Sequence, residues 1–169
     1  GAGLTLTVAH NVQEGHAKIA QAIQAMWTAA YPQIQVTVES QEWGAYLEAL
    51  RNESDPAGKP DVFRLGWNAD YPHANNWVHE VMNPQAGANR VMMSPDDPIV
   101  GDAVAEFTQL TIDAQAASEE EQPEMYKRAE QLLIEDIAAI IPIYYYTGVQ
   151  VTKPNVDRVF HNNSYYEFW

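Results

Sequence analysis

Cysteine is absent from this chain of 169 residues. Disulfides, thiolate metal sites and cysteine nucleophiles are thereby excluded. The compartment stays open, since many exported proteins also lack cysteine. Positive charge is scarce as well. Nine Lys and Arg stand against 23 Asp and Glu, a net charge of −14. Nucleic acid and anionic lipid both call for a cationic surface, so neither is an expected partner. Long apolar runs are missing too. The strongest, Ile137 to Tyr146, is too short to span a bilayer and is interrupted by Pro142. No cationic-then-apolar leader opens the sequence, so the expectation is that any signal peptide has been removed or never stood here.

Catalytic signatures are equally thin. There is no HExxH, GxSxG, Walker A loop or GxGxxG. His10 and His16 lie six apart, as do His73 and His79, a spacing that puts helical side chains on different faces. Glu135-Asp136 and Asp96-Asp97 read as helix-end and cap carboxylates. No enzyme activity, metal site or cofactor is expected.

What is present is a globular composition, 46% apolar and 19% charged, with length enough for one domain and a core. Leu4 to Val8 alternates with strand period. Asn11 and Glu14 suit a capping box, followed by a helical stripe of Ile19, Ile23, Met26, Trp27 and Ala30. Tyr31-Pro32 ends that helix. Ile34, Val36 and Val38 alternate as a second strand. Trp43, Tyr46, Leu47 and Leu50 mark a second helix. A polar loop, Asn52 to Pro60, leads to a third strand over Val62 to Leu65. A short helix is expected over Asn75 to Met82, then an irregular stretch to Asp97. Asp97-Pro98 would cap a helix carrying Val100, Val104, Phe107 and Leu110. Ser118 and Glu121 would cap another running to about Ile137. Ile140 to Tyr146, expected to be buried, and Val149 to Thr152 read as closing strands. Alternating strands and helices without internal repeats define an α/β class, in a single domain over 1–169.

The segment Asp61 to Pro72, DVFRLGWNADYP, carries the most functional information. An apolar strand bearing Arg64 breaks at Gly66 and delivers Trp67, Asn68, Ala69 and Asp70 at its carboxyl end. Ligands of open α/β folds lie beyond such ends. Asp70 suits a cationic group, Arg64 an anion, and Trp67 offers a flat apolar wall.

FRLGWNADYP, with AEQLLIEDIAAIIPIYYYTGVQVTKP much later, closely resembles the family 5 extracellular solute-binding proteins, the oligopeptide- and dipeptide-binding receptors of ABC importers. HAKIAQAIQAMW and VTVESQEWGAYLEAL extend the similarity, which runs from about Leu4 to Pro154. The resemblance implies a periplasmic-binding-protein-like class II fold, with a mixed sheet flanked by helices forming part of a C-terminal lobe. Family members are far longer, and two lobes close on the ligand. It further implies an exported receptor, periplasmic or on the extracellular face. Its partners would be a short peptide or similar zwitterion, the importer's permease subunits and the missing N-terminal lobe.

Asp70 matches the family aspartate that grips the ligand's α-ammonium, for which a carboxylate in a closed cleft is suited. The alternative is a turn carboxylate or a cap for the Asn75 helix. Arg64 matches an arginine that can meet the ligand carboxylate through its planar fork, or else pairs with an acidic neighbour in its own lobe. His16 lies where the oligopeptide binders place a histidine near the peptide's carboxyl end; the bland alternative is a solvated residue in a helix's first turn. Trp67 would be cleft wall or core plug. Asn68 and Ala69 could pair through their backbones with an extended peptide. Of the three tyrosines Tyr144 to Tyr146, core packing is the expectation for Tyr145. Arg51 is not assigned a role. One departure concerns cargo. Relatives often continue ADYPDP, whereas this chain reads ADYPHANN, with His73 beside the motif. The family also includes binders of oligosaccharide, nickel complexes and haem, and the same lobe could serve a sensory role without transport.

Overall fold

The computed structural model describes residues 3–51, 58–145, 147, 149 and 151–156. These fall into two compact units, one ending at Trp67 and the other beginning at Asn68.

In the first unit, β1 (Leu4–Asn11), α1 (Glu14–Ala30), β2 (Ile34–Gln41), α2 (Trp43–Arg51) and β3 (Val62–Phe63) follow in sequence. The strands form a parallel sheet in the order β2-β1-β3, with Leu4 opposite Ile34 and Val8 opposite both Val38 and Val62. Period-two alternation then sends successive β1 side chains to opposite faces. Val8 packs with Ala20 and Val36, supported by Trp27, Ile34, Val38 and Val62. Ala9 packs on the other face with Tyr46 and Leu50, supported by Phe63 and Leu65. Coverage on both faces buries the consecutive residues Val8, Ala9 and His10, whereas the strand's start at Leu4 is exposed.

The expected Asn11–Glu14 capping box does not form. β1 extends three residues beyond Val8, drawing Asn11 into register with Gln41. Gln13 takes the cap position instead, its Oε1 accepting the His16 N–H at 2.8 Å. The helix ends at Tyr31, ahead of Pro32, as the sequence predicts.

The second unit is helical. A π-helical segment spans Asn76–Val81, followed by α3 (Gly101–Ala116) and α4 (Gln122–Gln131), which runs on into a π turn at Leu132–Asp136. Val78, Met93, Val104, Phe107, Ala114, Tyr126, Ala129, Leu132 and Leu133 make its core. Asp97 caps as expected, but one turn early. Its Oδ1 accepts the Ile99 and Val100 N–H groups, and the helix proper begins at Gly101. Those two amide bonds, Val100 first, hold the Asp97 carboxyl below its ordinary range. Half of the predicted box forms: the Glu121 carboxylate accepts from both the backbone N–H and the hydroxyl of Ser118, while the Glu121 N–H goes to the Ser118 carbonyl and α4 begins at Gln122.

The closing strands are a correction. Residues 140–145 are irregular, and Ile141, Ile143 and Tyr145 are exposed. Residues 149, 151 and 152 are irregular and exposed as well. A β-strand is made by ladder partners, and an apolar run alone does not supply one. Tyr145, expected in the core, is 92% exposed. Tyr146, the loop residues 52–57 and the tail beyond 156 lie outside the described residues. Among the described residues, no helix is long and apolar enough to cross a membrane.

Candidate functional site

Two of the predicted ligand residues come together within the first unit. Arg64 follows β3 directly, and its N–H donates to the Ala9 carbonyl at 2.9 Å, continuing the β1 ladder one step past the strand. The buried Tyr46 hydroxyl bonds to the carbonyls of Ala9 at 3.1 Å and Arg64 at 2.7 Å. This clamp sets the backbone from which the half-buried Arg64 side chain departs. Burial pushes the Tyr46 phenol up to about 12, so it stays a neutral donor.

His16 sits in the first turn of α1 and is buried, so the solvated alternative does not hold. Burial lowers its pKa first, then the positive charge of Arg64, then His10; a bond to the Asn11 backbone acts weakly the other way. His10 is also buried, with Nδ1 at 2.9 Å from the Asn11 carbonyl. Three nitrogen-bearing side chains therefore share one electrostatic neighbourhood, where β1 ends and α1 begins. A neutral imidazole beside a guanidinium suits a carboxylate, because it donates a hydrogen bond without a second desolvated cation. His10 has no motif of its own in the sequence. The signal that could have found it is the strand alternation that puts it on the Val8 face of β1.

Trp67 is the last residue of the first unit and is 39% exposed.

In the second unit Asn68 is exposed, Ala69 is buried and Asp70 is exposed. Asp70 does not cap the following helical turn. Its backbone N–H donates to Asn76 Oδ1 at 3.1 Å, and its Oδ2 accepts from Asn76 Nδ2 at 3.3 Å. Asn76 Nδ2 also donates to Glu80 Oε2 at 2.5 Å. Glu80 Oε1 accepts from the Tyr71 hydroxyl at 2.6 Å and from Asn75 Nδ2 at 3.3 Å. Neither Asn76 nor Glu80 is singled out by sequence. A buried asparagine leaves no periodic trace, and Glu80 shows only the i,i+4 spacing that puts it on the Asn76 face.

His73, the departure from the family pattern, is held locally. Its Nδ1 accepts the Asn75 N–H at 3.1 Å, so the proton sits on Nε2 and is donated to Gln122 Oε1 at 3.1 Å. Its ring stands edge-on to Tyr126, 5.7 Å between centroids. Arg51 is the exposed last residue of α2. No group of three or more His, Asp or Glu arranged to hold a metal occurs among the described residues.

A parallel sheet flanked by helices is consistent with part of a class II periplasmic-binding-protein lobe, and solved structures with this fold match the chain. The chain is similar to the periplasmic oligopeptide-binding proteins. It is 30% identical over 155 residues to the periplasmic oligopeptide-binding protein OppA of Haemophilus influenzae, covering 90% of this chain and 26% of that one. It is 32% identical over 152 residues to the periplasmic murein peptide-binding protein MppA of Escherichia coli, covering 89% and 25% respectively. The crystal structure of Haemophilus influenzae OppA in complex with RPPGFSPFR superposes with a TM-score of 0.64 at 29% identity, over 79% of this chain and 24% of that one. The chain thus spans about a quarter of the length of the curated relatives it matches. No protein-family model matches it. These relatives are named as binding proteins, not as enzymes.

Proposed function

We propose that this chain is part of the C-terminal lobe of an exported substrate-binding component of an ABC importer. The receptor captures short peptides, or zwitterions of similar size, in a cleft between two lobes and delivers them to a membrane permease. Asp70 holds the cargo's ammonium. Arg64, with His16, receives its carboxylate, and Trp67 lies along its apolar surface. Asn68 and Ala69 offer backbone groups to an extended chain. No chemistry is performed, so selectivity comes from cleft size and charge placement. The observation that carries this reading is similarity to peptide binders over nine-tenths of the chain, one of them solved with a bound nonapeptide. Asp70 and Arg64 add the pair of opposite charges that a zwitterion demands.

A sugar cargo is the competing reading, favoured by the exposed indole of Trp67, which could stack on a pyranose ring. Calorimetric titration of the complete two-lobed protein separates the two. Charge-assisted hydrogen bonds contribute about 1.5–3 kcal/mol, so Asp70→Ala should weaken tri-alanine at least about tenfold. It should leave N-acetyl-tri-alanine nearly unchanged. Tight cellotriose binding indifferent to Asp70→Ala would keep the fold and overturn the peptide assignment.

A further inference from the structure

Asn76 is fully buried, yet its amide serves an exposed carboxylate. Its Oδ1 takes the Asp70 backbone N–H, while its Nδ2 reaches both Asp70 Oδ2 and Glu80 Oε2. A side-chain amide is suited to this, because it presents an acceptor and two donors from one planar group. Leucine would fill the space with neither, and aspartate would supply only acceptors. Glu80 is itself pinned. Its other oxygen accepts from Tyr71, whose hydroxyl accepts from Asn75 Nδ2 at 2.7 Å. The Asn75 Oδ1 in turn accepts from the buried Tyr126 hydroxyl at 3.0 Å. A run of hydrogen bonds therefore leads from a core tyrosine of α4 through Asn75, Tyr71, Glu80 and Asn76 to Asp70.

We propose that Asn76 is a positioning residue for Asp70, with Glu80 as its anchor: together they hold the Asp70 turn and carboxylate in the orientation that receives the cargo's ammonium. This inference rests on the assignment of Asp70 as the ammonium ligand. An exposed aspartate at a turn otherwise samples several rotamers and must be immobilised when cargo binds. Holding one rotamer in advance removes that cost, worth about two- to twelve-fold in affinity for a single side chain. The gain applies only to ligands that use the Asp70 carboxylate. A merely structural role for Asn76 would instead weaken all ligands alike.

The readout is therefore the ratio of affinities for tri-alanine and N-acetyl-tri-alanine, measured on the complete two-lobed protein. Asn76→Leu keeps the volume and removes the amide; it should lower the ratio by about two- to twelve-fold, with the acetylated peptide little affected. Glu80→Ala, on an exposed side chain, should move the ratio in the same direction, by about twofold or more. It decides the matter if the leucine variant does not fold. Ratios at the wild-type value in both variants, or in Glu80→Ala alone when only that variant folds, would overturn the positioning role while Asp70→Ala still collapses the ratio. A ratio that Asp70→Ala leaves unchanged would instead remove the ammonium assignment, and the role of Asn76 with it.

Discussion

At the scale of single residues, burial and charge set the chemistry of each group. His16 is the sharpest case, because desolvation, the Arg64 charge and the nearby His10 all act against its protonation. Its folded pKa lies below the unfolded value, near 6.5. Below that value the unfolded chain binds the proton more readily than the folded one, so stability falls with falling pH. The contribution is complete above about pH 6.5 and is lost as pH drops through the folded pKa. His79 behaves in the same direction, since burial lowers its pKa more than Glu80 raises it. Urea denaturation between pH 8 and 5 should therefore show a shallower decline in His16→Asn than in the unsubstituted chain. Equal slopes would mean that His16 is solvated after all. Asp97 and Glu121 run the opposite chemistry. Both are exposed carboxylates held below their ordinary range by hydrogen bonds at helix starts, Asp97 from backbone amides and Glu121 from Ser118. That is how a cap registers in a titration. These caps were legible in the sequence because Asp-Pro and Ser-x-x-Glu carry their partners within one turn. Asn76 was not, since the turn that brings Asp70 onto it has no spacing signature and the i,i+4 step to Glu80 does not mark the asparagine as buried.

Between elements, Tyr46 joins α2 to the ends of two strands. Its hydroxyl meets both the Ala9 and the Arg64 carbonyl. Tyr46→Phe should cost about 1 kcal/mol, the net worth of a typical buried hydrogen bond, because Ala9 retains the Arg64 N–H as partner while the Arg64 carbonyl loses Tyr46. Chemical denaturation measures this, and a loss below about 0.3 kcal/mol would show that water replaces the phenol. The same substitution should also weaken peptide binding in the two-lobed protein, since the clamp sets where the Arg64 side chain begins. Elements with a single dominant period were readable in advance: β1, α1, β2 and α2 all lie where alternation or a helical stripe put them. The N-cap of α1 moved from Asn11 to Gln13 because pairing with β2 drew Asn11 into the sheet. The run from Ile140 misled for a related reason. Its apolar composition marks a buried environment, but hydrogen-bonded neighbours make the strand, and the described residues supply none.

Across the whole molecule, like charge outweighs pairing. The net charge is −14, while the ion pairs found among the described residues lie on exposed side chains, including Lys18–Glu14 and Arg128 with Glu106 and Asp136. Exposed pairs contribute little, whereas unbalanced charge destabilises the compact state through self-repulsion. The Debye length falls from roughly 30 Å at 0.01 M salt to roughly 8 Å at 0.15 M, which screens repulsion across the surface more than contacts at bonding distance. The melting temperature should therefore rise as sodium chloride is raised over that range. A fall would mean that the surface pairs dominate.

The division between sequence and tertiary structure follows from the range of the forces involved. Local patterning determined the α/β class, the order of the first five elements, the Asp97 and Ser118–Glu121 contacts ahead of α3 and α4, and the strand end that carries Arg64. Each is written within a few residues, as a periodicity or a cap. Tertiary structure alone decided that His10 and His16 share the neighbourhood of Arg64, that Asn76 bridges Asp70 and Glu80, and that Tyr145 is exposed. Those outcomes depend on desolvation and on hydrogen bonds that no periodicity or cap signature marks. Such bonds exist only once the backbone has brought their donors and acceptors within about 3 Å.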